Sequence, residues 1–168
     1  DDIDDTLWDI LYAFYGRTYA IRGQDPYLTR AFFSELTQRM PEHVRFFVAY
    51  HHDEPVGMAF MLLGGDTLYG RHWGCATDYH SLHFETCYYQ AIDFAISRNL
   101  VTVEAGAQGL HKVQRGYLPV YTYSAHWLAD SQFSEAVGRF LRQEQAAVEE
   151  DARSIDEISP YRSDNIAG

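Results

Sequence analysis

The sequence predicts a mixed α/β fold, in which helices cover the faces of a sheet that combines antiparallel and parallel strands. Two amphipathic helices precede any strand, and three β-rich segments joined by short turns follow them. A long helix then leads directly into a short apolar strand, which is the pattern of a crossover between parallel strands. Elements in this order predict a central mixed sheet flanked by helices.

The first two helices are predicted from apolar residues at helical spacing. The first helix runs to about Ala20, and Asp5 or Thr6 is the expected capping residue. The second helix follows Pro26 by one or two residues and must end before Pro41, because proline cannot continue a helix. Each helix should bury its apolar face.

The three β-rich segments span residues 44–50, 56–63 and 67–73. Turn-forming residues separate them, so an antiparallel meander is expected. Gly70 and Gly74 indicate a bulge or a close backbone approach in the third strand.

The next helix is expected to begin at Ser81 as its cap and to stop at Asn99, with Ile96 among the residues of its apolar face. Residues 100–105 then form a strand parallel to an earlier one, and residues 106–109 form a turn. A further strand over residues 117–127, broken at Pro119, and a final helix over residues 131–150 complete the prediction.

Length and composition predict one domain over residues 1–153 and an acidic tail over residues 154–168. The net charge of −11, with Lys112 as the sole lysine, makes nucleic-acid binding unlikely for this chain alone. No apolar run is long enough to span a bilayer. Cys75 and Cys87 are expected to be free thiols, which favours a cytoplasmic protein. The first residue is not Met, so the chain is expected to be a fragment.

Four segments rich in Trp, His, Gln and Gly resemble the FemAB-like family of N-acyltransferases. These are LYGRHWG at 68–74, LHFETCYYQ at 82–90, EAGAQGLHKVQRGYLP at 104–119 and SAHW at 124–127. The resemblance extends upstream through PYLTRAFF at 26–33 and covers most of the chain. It implies that the chain is the C-terminal half of a bacterial protein of the peptidoglycan biosynthesis or recognition type, and that an N-terminal domain is missing.

The resemblance also implies the GNAT-type acyltransferase fold and the transfer of an acyl or aminoacyl group to an amine. The expected partners are therefore a small-molecule acyl donor and an amine acceptor. No tightly bound cofactor is expected, and acyl-CoA or aminoacyl-tRNA would serve as the co-substrate. The main alternative is a recognition module that keeps the fold without the chemistry.

At the expected place, between a strand and the helix that follows it, no Gln/Arg-x-x-Gly-x-Gly/Ala string occurs of the kind with which coenzyme A acetyltransferases usually hold pyrophosphate. The nearest candidate is the loop after residue 103, where glycines and two cations can bind a phosphate or carboxylate. Glu104 and His111 are its candidate proton-transfer groups. Its candidate binding residues are Gly106, Gln108, Gly109, Lys112 and Arg115. The alternative is a tight turn whose cations lie in solvent.

Alternation along the third strand places Tyr69, Arg71 and Trp73 on one face and His72 on the other. The first three can line a substrate pocket, with Arg71 binding an anion, or they can form an aromatic face packed under a helix. Glu85 is a candidate general base for an amine acceptor. Alternatively, Glu85 is a structural carboxylate near the N-terminus of a helix, where the helix dipole stabilises its negative charge.

A second alternative function is a metal site. His72, Cys75, His80 and His83 have a spacing that can bind Zn²⁺, with Cys87 one turn further on. The family resemblance implies no metal, so the primary interpretation assigns these residues to polar pocket or core positions.

Overall fold

The computed structural model describes residues 3–106, 109–157 and 160. Its contacts divide the chain into two compact units, Asp1–Ala107 and Gln108–Gly168. The first unit contains three helices and a four-stranded sheet, and the second contains a 3-10 helix and one long α-helix. The predicted mixed α/β class is confirmed.

Helix α1 spans Asp5–Ala20. Its cap is Asp4, whose carboxylate accepts a hydrogen bond from the Leu7 N–H at 2.8 Å. The predicted caps Asp5 and Thr6 therefore lie inside the helix. Asp4 has the extended backbone of a capping residue, which lets its side chain reach the free N–H groups of the first turn.

Helix α2 spans Arg30–Arg39 and begins later than Pro26 suggested. The hydroxyl of Thr29 caps it by accepting a hydrogen bond from the Phe32 N–H at 3.2 Å. The side-chain cap, rather than the proline, sets where this helix begins.

The sheet is built from β1 (Val44–His51), β2 (Glu54–Gly64), β3 (Thr67–Cys75) and β4 (Thr102–Glu104). Strands β1, β2 and β3 form the predicted antiparallel meander, and β4 pairs in parallel with β3. His52 and Asp53 join β1 to β2 with φ angles of 50° and 65°, the conformation of a two-residue type I′ turn.

Helix α3 connects β3 to β4 and contains a π-helical interruption. It consists of α-helical Leu82–Phe84, π-helical Glu85–Tyr89 and α-helical Gln90–Ser97. Asn99 follows with φ 54°, so the predicted stop is confirmed. Ser81, however, has φ 62° and makes no side-chain cap, contrary to the prediction.

The π segment changes which residues of α3 face the sheet. Ala91 and Ala95 are buried, whereas Ile96, predicted on the apolar face, is 69% exposed. A π-helical turn inserts one extra residue, so the helical periodicity predicted from Phe84 onward no longer points Ile96 at the core.

Each face of the sheet has its own hydrophobic core. One cluster joins α1 and α2 to β1 and β2, with Leu11, Tyr15, Phe33, Met58 and Phe60 among its members. The other lies under α3, where Ala59, Met61 and Leu68 of the sheet pack with Ala91. The meander is therefore covered on both faces within the first unit.

The second unit contains the 3-10 helix Leu110–Arg115 and helix α4, Ser131–Glu157. Residues 117–127 are not a strand, contrary to the prediction, since no neighbouring strand among the described residues pairs with them. The expected boundary between domain and tail, at residues 153 and 154, falls inside α4.

Among the helices within the described ranges, none is both long and apolar enough to cross a membrane.

Candidate functional site

Strand β3 contains a β-bulge at Arg71. Met61 of β2 pairs with Gly70, and the adjacent Phe60 pairs with His72, so Arg71 is the extra residue. A bulge increases the local twist and redirects the side chains that follow it. The bulge predicted from the glycines of this strand is confirmed.

The bulge separates residues that simple alternation places together. Tyr69 pairs with Leu62, which packs on the α1 side, and Trp73 packs instead in the core under α3. The predicted common face of Tyr69, Arg71 and Trp73 is therefore wrong. One extra residue reverses the face of every side chain beyond it.

Beyond the bulge, β3 forms an edge of the sheet. Pairing with β4 ends at Tyr69 and Glu104. Helix α1 approaches this part of β3, because Thr18 donates its hydroxyl proton to the Trp73 carbonyl at 2.7 Å. A Cβ on Gly74 would overlap the Phe14 carbonyl oxygen, so only glycine permits this approach.

A cavity of about 200 Å³ lies at this edge, within the first unit. It receives side chains from α1 and the turn after it, from β3 around the bulge and from the start of α3. Its lining residues are Tyr15, Thr18, Tyr19, Arg22, Arg71, His72, Trp73 and His83. We call it the β3-edge pocket.

The aromatic side of the pocket is rigid. The Trp73 and His83 rings have centroids 5.4 Å apart, and the Trp73 indole lies over Gly57, which has no side chain to obstruct it. The Tyr19 ring packs edge-on against Tyr15 at 4.9 Å and against Tyr27 at 5.7 Å, and burial raises the pKa values of Tyr19 and Tyr27. These phenols are therefore neutral donors and acceptors at physiological pH.

His72 closes the base of the pocket. Its ring stacks on Phe60 at 6.0 Å and meets Tyr15 edge-on at 5.0 Å. Burial, with a smaller contribution from the positive charge of Arg71, lowers the pKa of His72. The imidazole is therefore neutral near pH 7, and the charge of the pocket comes from its arginines.

Glu85 is exposed and is the first residue of the π segment. Its carboxylate accepts a hydrogen bond from the Gln90 side-chain amide at 2.8 Å. π-Helical turns within α-helices occur frequently at functional sites. Glu85 follows His83 of the pocket by two residues in the chain but is not itself a lining residue.

The predicted loop residues are divided between the two units. Glu104 ends β4, and Gly106 has φ 74°. Gln108 lies outside the described residues.

The remaining loop residues belong to the second unit. Gly109, with φ 109°, precedes the 3-10 helix that carries His111, Lys112 and Arg115. Arg115 donates to the His111 carbonyl at 2.6 Å, and burial lowers the pKa of Lys112.

The described residues contain no group of three or more His, Cys, Asp or Glu side chains that could hold a metal ion. His72 lies among aromatic rings on the α1 side, whereas His80 interacts with Ser81 and His83 packs against Trp73. The alternative of a His72, Cys75, His80 and His83 metal site is therefore wrong. The spacing is suitable, but the side chains do not converge.

The second unit has a larger and more open groove, of about 920 Å³. It lies between the extended residues 121–126 and α4, and exposed side chains line it, including Tyr123 and Glu149. We favour the smaller β3-edge pocket as the candidate site, because rigid elements position its polar groups.

A family model described as peptidoglycan biosynthesis/recognition, FemAB-like, matches residues 1–163. The chain belongs to the FemAB-like family. This confirms the resemblance found in the four sequence segments. A search of curated proteins gives no significant match.

The fold of this FemAB-like chain also resembles a solved structure. That structure is described as the crystal structure of a possible acetyltransferase from Clostridium difficile 630. The two align with a TM-score of 0.51 and 12% identity, covering 77% of this chain and 95% of the other. The similarity supports the GNAT-type fold expected from the family.

Sequence reasoning missed the contribution of α1 to the pocket. Tyr15, Thr18 and Tyr19 of α1 line it together with Arg22 of the turn that follows, whereas the sequence predicts only a buried face for this helix. The available signal is the polar character of Thr18 near the end of the predicted helix and of Arg22 just beyond it.

Proposed function

We propose that this FemAB-like domain is an N-acyltransferase, which transfers an acyl or aminoacyl group to an amine. The observation that carries the proposal is the family match over residues 1–163. The acetyltransferase-like fold and the polar pocket at the β3 edge support it. The family description favours an acceptor from peptidoglycan metabolism.

The proposed reaction needs little covalent participation by the protein. The acceptor nitrogen attacks the acyl carbonyl carbon, a C–N bond forms, and the bond from that carbon to the donor sulfur or oxygen breaks. The donor leaves with that electron pair as a thiol or alcohol, after taking up the proton that the amine loses. Holding the two substrates in position supplies up to about 7–11 kcal/mol in favourable cases.

A base that accepts the amine proton would add about 10²–10⁴-fold to the rate. Glu85, Glu104 and His111 remain the candidates, and all three side chains are exposed to solvent that could relay a proton. Replacing each in turn by Gln identifies the base as the residue whose loss lowers kcat by that factor while KM changes little.

We propose that Lys112 and Arg115 bind the phosphates of an acyl-CoA donor. Acetyl-CoA at about 100 times its dissociation constant should then stabilise the protein by about 2.7 kcal/mol, an upward Tm shift of several degrees. The shift should disappear in Lys112→Ala and Arg115→Ala and persist in Arg139→Gln, an exposed arginine on α4. Absence of a shift with acetyl-CoA and with a longer acyl-CoA would contradict coenzyme A as donor and favour an aminoacyl-tRNA.

A recognition module on the same fold is the second candidate, favoured because the usual pyrophosphate-binding string does not occur at its expected place. Such a module would bind its ligand without forming a product. Turnover therefore distinguishes the two functions, whereas binding alone does not.

A further inference from the structure

The β3-edge pocket is positively charged in an acidic protein. Two of its lining residues, Arg22 and Arg71, carry a full positive charge, and no lining residue is a carboxylate. The whole chain has a net charge of −11, so the sign of the charge at this pocket is opposite to that of the chain. A local reversal of charge of this kind attracts an anion.

Neither arginine is paired with a carboxylate of the described residues. Within the described residues, the guanidinium groups of Arg22 and Arg71 make no ion pair, whereas Arg30 contacts Asp5 at 2.9 Å and Asp9 at 2.6 Å. Their donors remain available, and a guanidinium can bind a carboxylate or phosphate through two parallel hydrogen bonds.

The size of the pocket limits what can occupy it. Pockets for drug-sized ligands measure roughly 300–1,000 Å³. The β3-edge pocket, at about 200 Å³, accommodates a group the size of an amino acid but not a nucleotide cofactor. This favours a small carboxylate over the phosphates of a coenzyme.

The remaining lining groups suit the body of such a ligand. Tyr19 and Thr18 present hydroxyls, and the Trp73 indole offers an apolar wall. None of the described lining residues has an acidic side chain, so no carboxylate among them would pair with an ammonium group. A bound amino acid would therefore place its carboxylate between the arginines and its amine toward the opening.

We propose that the β3-edge pocket binds the carboxylate of the acceptor, which is an amino acid or a peptide with a free carboxyl group, and that Arg22 and Arg71 are the anion-binding residues. This inference rests on the proposed N-acyl transfer, because it identifies the substrate class of the same domain.

The proposed arrangement also favours the reactive form of the acceptor. One carboxylate neutralises one of the two arginine charges, so a positive charge remains near the amine. A neighbouring positive charge disfavours an ammonium and lowers its pKa, which increases the fraction of neutral nucleophile.

Binding of L-lysine and L-lysinamide, measured by NMR titration of the whole chain, tests the inference without requiring turnover. The two ligands share their amines and differ in the carboxylate. L-lysine should bind and shift resonances of Trp73 and Tyr19, and L-lysinamide should bind at least about tenfold more weakly. Inorganic phosphate is titrated in parallel as the competing source of anionic oxygens.

Three variants test the two arginines. Arg22→Gln and Arg71→Gln should each weaken L-lysine binding about tenfold or more, and Arg71→Lys should be intermediate, because it keeps the charge but not the forked donors. Arg39→Gln, an exposed arginine of the same unit that pairs with Glu35, should bind as the unsubstituted protein does. Unchanged amide spectra outside the pocket establish that each variant is folded.

Equal binding of L-lysinamide, tighter binding of phosphate, or unchanged affinity in both glutamine variants would overturn the inference. Its failure is distinct from failure of the proposed function. Lysine binding without any N-acylated product would support the carboxylate site and contradict the acyltransferase. Product formation at the same rate with and without a carboxylate on the acceptor would support the acyltransferase and contradict the carboxylate site.

Discussion

At the scale of single residues, the properties of the pocket arise from neighbours that are distant in sequence. His72 is a neutral pocket wall because Tyr15, Phe33 and Phe60 surround it, and these residues come from three other elements. The sequence identified Arg71, Trp73 and His83 as polar or aromatic candidates. The sequence alone does not show that these side chains line the same pocket as Arg22, because this depends on how α1 packs against β3.

His72 should make the stability of the protein depend on pH. Its folded-state pKa lies below the ordinary value of 6.5, so the unfolded chain binds more protons as the pH falls below that value. The free energy of unfolding should therefore decrease from pH 6.5 down to the folded-state pKa of His72.

A comparison of denaturant unfolding at several pH values checks this contribution. His72→Phe should show a weaker decrease in stability over this range than the unsubstituted protein. His51→Gln, an exposed histidine at the end of β1, is the matched control and should retain the full decrease. An identical pH dependence in His72→Phe would contradict the assignment.

The two cysteines should differ in reactivity. Burial raises the pKa of Cys87 to about 12, and burial also raises the pKa of Cys75, where the positive charge of Arg17 opposes it. Since the thiolate is the reactive form, iodoacetamide should label Cys75 faster than Cys87 in the folded protein.

Peptide mass spectrometry over a labelling time course measures both rates in one sample. The rates should become similar in denaturant, where burial no longer acts. Faster labelling of Cys87 in the folded protein would contradict the raised pKa of its thiol, which packs against the core under α3.

At the scale of elements, most helices and strands could be predicted, and the irregularities within them could not. Segments rich in β-forming residues and separated by turns predict the meander, and a helix followed directly by a short apolar segment predicts the parallel β4; both are confirmed. The bulge at Arg71 and the π segment of α3 each insert one residue into a regular pattern, so the sides of Trp73 and Ile96 were assigned incorrectly. Packing between elements stabilises these insertions, and the conformational propensity of a single segment does not predict that packing.

The contact between α1 and β3 should be sensitive at Gly74. A methyl group there would overlap the Phe14 backbone, and backbone cannot move aside as a flexible side chain can. Gly74→Ala should destabilise the protein by about 1–3 kcal/mol or more. Thermal or denaturant unfolding measures this change.

Gly16 provides the matched control on α1 itself. It lies in the helix, and a methyl group added to it would have nothing within 4 Å. Gly16→Ala should therefore stabilise the protein by about 0.5–1 kcal/mol, since alanine favours helix over glycine. An unchanged free energy of unfolding in Gly74→Ala would show that the helix can move away from the strand.

At the scale of the whole molecule, the resemblance to FemAB-like proteins was correct, and the prediction of a strand over residues 117–127 was not. The strand was predicted from Tyr and Val content. A strand, however, needs a partner for its backbone groups, and composition does not reveal whether one is present. The family match, the fold and the pocket lead to the same proposal of N-acyl transfer.

Detection of an N-acylated product by mass spectrometry tests that proposal most directly. The chain would be incubated with acetyl-CoA or an aminoacyl-tRNA and with a set of amino acids and short peptides. We predict product that increases with protein concentration, falls in Arg71→Gln and is retained in Arg39→Gln. Ligand binding without product above the uncatalysed rate, for every donor and acceptor, would contradict the account and identify a recognition module.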